Sequence, residues 1–128
     1  MKIILVDAVH CFVSKDGEIF NEMHDLLELY DNKKVLLTGA NDEEFKKFHL
    51  EKMPYEVFTM KHNPEKTNPE YYKILLNKLN ATKEDVICFE HNIDAVKSAQ
   101  SIGINTYFYD NNKKDLEDLK KFLDENLN

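Results

Sequence analysis

At 128 residues the chain is the size of one domain, expected to span 1–128, and is long enough to bury a core. Charged residues make up 32% and hydrophobic ones 42%, which excludes a disordered chain, and no apolar run approaches the length of a membrane helix. The net charge is −7 and all 17 basic residues are lysine. That balance disfavours non-specific binding to nucleic acid or an anionic membrane, and it removes the planar arginine fork that reads phosphate bidentately. The N-terminus lacks a signal-peptide pattern, so a cytoplasmic location is the expectation. Cys11 and Cys88 have no metal-ligand spacing and read as two buried thiols.

The first segment, Met1 to Asp7, is an apolar run that ends in one carboxylate, the pattern of a buried parallel strand delivering an acid to the sheet edge. Asp16-Gly17 between apolar stretches predicts a small β-hairpin flap over roughly 11–20. A helix follows over 21–30, with Met23, Leu26, Leu27 and Tyr30 on one face. A second buried strand, 33–38, ends in Thr38; Gly39 turns the chain, and Asn41 with Glu44 forms a capping-box pattern for a helix lined by Phe45, Phe48 and His49. A short third strand covers 55–59, and a loop at 60–67 carries His62, Pro64 and Lys66.

Asn68-Pro69-Glu70 opens a helix that runs to about Leu79, with Tyr72, Leu75, Leu76 and Leu79 inward. A fourth buried strand, 86–90, ends in Glu90. Asn92 caps a helix whose Ile93, Val96, Ala99 and Ile102 face the sheet, and Gly103 ends it as a left-handed C-cap. A fifth strand, 104–109, and a helix over 113–125 close the chain. This alternation predicts an α/β fold: a parallel sheet with helices on both faces and its functional edge at the carboxyl ends of the strands. The polar residues expected there are Asp7, Thr38, Glu90 and His91, with Lys66 within reach.

In this order the segments resemble the four motifs of the haloacid dehalogenase-like (HAD) hydrolase superfamily. Asp7, with its following loop and flap, resembles the first motif, Asp-x-Asp-x-Thr. Leu36-Leu37-Thr38-Gly39 resembles the second. Lys66-Thr67-Asn68-Pro69-Glu70-Tyr71-Tyr72 resembles the third, and Phe89-Glu90-His91-Asn92 through Gly103 the fourth. The resemblance covers nearly the whole chain. It implies a three-layer, Rossmann-like fold with five parallel strands in the order 5-4-1-2-3. Only a flap and one helix fit between Asp7 and Thr38, so it implies no cap domain.

The resemblance also implies roles. Asp7 would be the nucleophile toward a phosphate ester, Thr38 a hydrogen-bond donor to the phosphoryl group, and Lys66 its counter-charge. The family's magnesium ion would fall to Asp7, the backbone carbonyl of Val9, and Glu90 or His91. Two positions depart from the pattern. Val9 stands where the acid–base aspartate belongs, and His91 stands where an acid commonly ligates the metal. His10 falls where the family usually has glycine. Imidazole suits zinc, nickel, copper or iron better than magnesium. Three readings follow: a slow or specialised hydrolase of a small phosphorylated molecule; a catalytically silent module that binds a protein partner at an open site; or a transition-metal site at Asp7, His10, Glu90 and His91. The dehalogenase branch of the family, which uses a flap arginine and a cap, is disfavoured because the chain has neither.

Overall fold

A computed structural model describes residues 1–127. Five strands form one all-parallel sheet: β1 (Ile3–Asp7), β2 (Lys34–Thr38), β3 (Glu56–Thr59), β4 (Val86–Glu90) and β5 (Asn105–Phe108). Their order is β3-β2-β1-β4-β5, the order anticipated from the sequence. The sheet is buried because alternate residues of the central strands serve two apolar layers. Ile4, Val6, Leu36, Ile87 and Phe89 point to one face, where Met23 and Leu27 of α1 (Asn21–Leu27) and Leu119 and Leu123 of α5 (Leu116–Asn126) cover them. Leu5, Val35, Leu37, Val86 and Cys88 point to the other, under Tyr71, Tyr72 and Leu75 of α3 (Glu70–Lys78) and Ala99 of α4 (Ile93–Ser101). Two-sided burial is why these strands read as continuous apolar runs. No helix among the described residues is long and apolar enough to cross a membrane.

The flap is present in minimal form. Val13 and Ile19 make a single antiparallel bridge, supported by Ser14 N–H to the Glu18 carbonyl at 2.8 Å and Phe20 N–H to the Phe12 carbonyl at 2.9 Å. Cys11, Phe12 and Val13 are buried in the first apolar layer, so this segment is packed into the core rather than standing above the sheet. The capping box at α2 (Asp42–Lys47) forms as expected: the Glu44 amide donates to Asn41 Oδ1 at 2.9 Å, and the Asn41 amide to Glu44 Oε1 at 3.0 Å. His49 does not line the inner side of that helix. It leaves the helix with φ +55° and is exposed.

The face of α4 is rotated from the expected one. Ile93 is 46% exposed, and Ala95, Val96, Ser98 and Ala99 carry the burial. Ile93 is the first residue of the helix. Asn68 still caps α3 by accepting the Glu70 amide at 3.0 Å, with Pro69 just ahead of the first helical residue. Gly103 adopts φ +90° and ends α4 in the left-handed conformation.

Candidate active site at the carboxyl edge of the sheet

β1 lies between β2 and β4, so the chain reverses its order of strand addition on either side of it. Such a reversal opens a crevice at the carboxyl ends of the strands, and Asp7 ends β1 at that point. Register places Asp7 beside Leu37, with Thr38 one residue beyond, and Val6 beside Phe89, with Glu90 next. Asp7, Thr38 and Glu90 are all buried. Lys66 enters from the loop between β3 and α3. That loop is held by the Asn68 amide on the Glu65 carbonyl at 2.9 Å and by His62, whose ring bonds Glu44 of α2 and, at 2.7 Å, Glu65.

Asp7, Glu90, Lys66 and His91 close into one ion network. Lys66 Nζ donates to Asp7 Oδ1 at 2.7 Å, to Glu90 Oε1 at 2.6 Å and to the Leu37 carbonyl at 3.3 Å. Asp7 Oδ2 receives the His91 amide at 3.2 Å, the Cys11 thiol at 3.2 Å and a hydrogen bond from His91 Nδ1. The same Nδ1 lies 3.2 Å from Glu90 Oε2, which also accepts the Asn92 amide at 3.0 Å. Thr38 Oγ1 accepts the Ala40 amide at 3.1 Å and so fixes the turn after β2.

Electrostatics follow from this packing. Burial by itself would raise the Asp7 carboxyl, but the Lys66 charge and the His91 hydrogen bond outweigh it and hold Asp7 well below the usual carboxylate range. Glu90 moves the other way: burial and the charge of Asp7 raise it, with Lys66 offsetting part of the rise. Burial would lower Lys66, yet the paired charges of Asp7 and Glu90 push it well above its ordinary value. Hydrogen bonds to Asp7 and Glu90 lift His91 to about 9, so its imidazole is a second cation against the two carboxylates. Asp7 and Glu90 are thus buried against two basic side chains, Lys66 and His91, that are themselves partly exposed.

His10 stands outside this cluster. Its backbone has φ +80°, a left-handed conformation that suits the glycine expected there. Its exposed ring meets the His91 ring edge-on with centroids 5.1 Å apart. Of the histidine, cysteine and acidic donors, those that converge within 4.8 Å of one another are Asp7, Cys11 and His91. The sequence pointed to His10 in that place and took Cys11 only as a buried thiol. Nothing local marks Cys11 as a partner of Asp7; the tight loop after β1 brings it back, and the Ala8 carbonyl accepts the Phe12 and Val13 amides at 2.9 Å each. Tyr71 is a second such residue. Its hydroxyl donates to the Thr38 carbonyl at 2.7 Å and lies 3.3 Å from that of Phe58, joining α3 to the ends of β2 and β3.

Magnesium takes hard oxygen donors in near-octahedral geometry. Here both Glu90 oxygens are committed to Lys66, His91 and the Asn92 amide, and both Asp7 oxygens already accept hydrogen bonds, Oδ1 from Lys66 and Oδ2 from Cys11 and His91. The remaining donors beside Asp7 are a thiol and an imidazole. That set does not suit magnesium. Next to it lies a cleft of about 470 Å³ lined by His10, Cys11, Ser14, Glu18, Asn112 and Lys114 among others.

No family model matches the chain, and no curated protein does. Among solved structures, the chain resembles a HAD family enzyme from Bacteroides thetaiotaomicron, an aspartate-to-alanine variant in complex with magnesium and inorganic phosphate. The match has a TM-score of 0.64 and 14% identity over 84% of this chain and 93% of that chain. At this identity the likeness establishes the HAD-like fold.

Proposed function

We propose that the chain is a divergent, capless HAD-like phosphohydrolase that attacks a small phosphate ester through Asp7. The observation that carries this reading is the position of Lys66 Nζ, 2.7 Å from Asp7 and 2.6 Å from Glu90 at the switch point of the sheet. Lys66 keeps Asp7 ionised and leaves a positive charge where a phosphoryl group would arrive. Asp7 Oδ1 accepts from Lys66, while Oδ2 accepts from the Cys11 thiol and from both the amide and the ring of His91, so Oδ1 is assigned the attack. In the step proposed, Oδ1 bonds to phosphorus as the ester P–O bond breaks, and water then hydrolyses the aspartyl-phosphate. Val9 cannot protonate the leaving oxygen, so that proton comes from solvent and the reaction is slow. The cleft beside His10 and Lys114 gives the leaving group room.

The test is turnover of p-nitrophenyl phosphate by the purified chain, with and without added magnesium. Slow hydrolysis that Asp7→Asn abolishes is the expected result. Absence of turnover, or turnover that survives the substitution, overturns the reading. The second reading is then left: a catalytically silent module that recognises a protein partner at the same edge. What favours it is the number of bonds already made by the Asp7 carboxylate, together with Val9.

A further inference from the structure

We infer that Asp7, Cys11 and His91 form a binding site for a zinc-class divalent ion. Their donor atoms lie within 4.8 Å of one another, and Cys11 Sγ is 3.2 Å from Asp7 Oδ2. A tetrahedral ion with bonds of about 2.0–2.3 Å separates its donors by roughly 3.3–3.7 Å, so the thiol and carboxylate already stand close to ligand spacing, and His91 Nδ1 has to draw back from its present hydrogen bond to Asp7 Oδ2 to join them. His91 Nδ1 and Cys11 Sγ both converge on the same oxygen, Oδ2, while Oδ1 is reserved for Lys66. Each contact to Oδ2 is now made through a proton, and one cation could replace both.

The chemistry of the set selects the ion. Sulfur and imidazole with one carboxylate suit zinc, cobalt or a similar metal, and they exclude magnesium and calcium. Charge closes as well: thiolate, carboxylate and neutral imidazole sum to −2 against a divalent ion, and Lys66 cancels Glu90. Lys66 and the Asn92 amide hold Glu90 in place, with Oε2 3.2 Å from His91 Nδ1, a contact the ion would displace on binding that nitrogen. Entry is open, because Cys11 lines the cleft and the His91 side chain is 25% exposed. Three protein ligands leave a fourth position for water or an anion. The site is independent of the phosphohydrolase reading, since it requires neither turnover nor a phosphate.

The experiment titrates the full-length chain with cobalt(II) chloride under a thiol-free reductant and follows the absorption spectrum. One equivalent should bind, with a thiolate-to-cobalt charge-transfer band in the near ultraviolet that zinc removes and excess magnesium does not. Cys11→Ser should abolish the band, and Cys88→Ser should keep it. His91→Gln should weaken cobalt binding at least tenfold, and it serves as the deciding variant should Cys11→Ser fail to fold. No band in the wild-type chain, or a band that survives Cys11→Ser or tracks Cys88 instead, overturns the site. A phosphatase assay has no part in this result, so either inference can fail while the other stands.

Discussion

Val9 places an isopropyl group two residues beyond Asp7, packed against the first apolar layer. If Asp7 is the nucleophile, this one side chain accounts for the slow leaving-group step, because it can neither give nor take a proton. Val9→Asp should therefore raise turnover of p-nitrophenyl phosphate by about 10²–10⁴-fold, the ordinary contribution of a positioned acid–base group. Equal rates in two well-folded proteins would mean that the closed Asp7 carboxylate, rather than the absent acid, limits the reaction. The His91 imidazole hydrogen-bonds Asp7 and, with its pKa lifted to about 9, sets a positive charge beside that carboxylate.

At the scale of elements, α3 packs against the ends of β2 and β3, and its two tyrosines have opposite consequences. Tyr71 bonds the carbonyls at the ends of β2 and β3. Tyr71→Phe should cost about 1–3 kcal/mol, since it strands buried acceptors. The Tyr72 hydroxyl is buried without a hydrogen-bond partner among the described residues. Tyr72→Phe should be neutral or stabilising by up to about 1 kcal/mol. Urea unfolding with unchanged m-values measures both, and equal losses for the two variants would contradict the assignment.

The loop that carries Lys66 has its own tie. His62 joins Glu65 to Glu44 of α2, and the Glu44 hydrogen bond raises its pKa above the ordinary 6.5. A raised pKa in the folded state means that the contribution is complete below pH 6.5 and fades as pH rises through the folded value. The Tm advantage of the wild type over His62→Gln should thus be larger at pH 6 than at pH 9. It should also be small, because the pair is exposed and screened. An advantage that is constant across that range would show that His62 acts by packing alone.

For the whole molecule, the sequence by itself determined the kinds of element, their order and the parallel sheet. These rest on local signals that survive without neighbours: two-sided apolar runs for the strands, cap residues such as Asn41 and Asn92, and Gly103 at the end of α4. It also brought Asp7, Thr38, Glu90 and Lys66 to one edge, because strand ends in a doubly covered sheet have one common destination. Helix ends and faces were less legible. The expected face of α4 included Ile93, which opens the helix and is exposed, a fact set by where the helix sits and not by its periodicity.

Only the tertiary structure decided who touches whom at that edge. Cys11 and His91 are 80 residues apart in the chain and meet on one oxygen of Asp7, while His10, next to Cys11 and left-handed at φ +80°, reaches only the edge of the His91 ring. Hydrogen-bond partners across a crevice depend on the positions of three separate segments to within an ångström. Periodicity and capping carry no information about them, so the acid of β1 was readable in the sequence and its company was not.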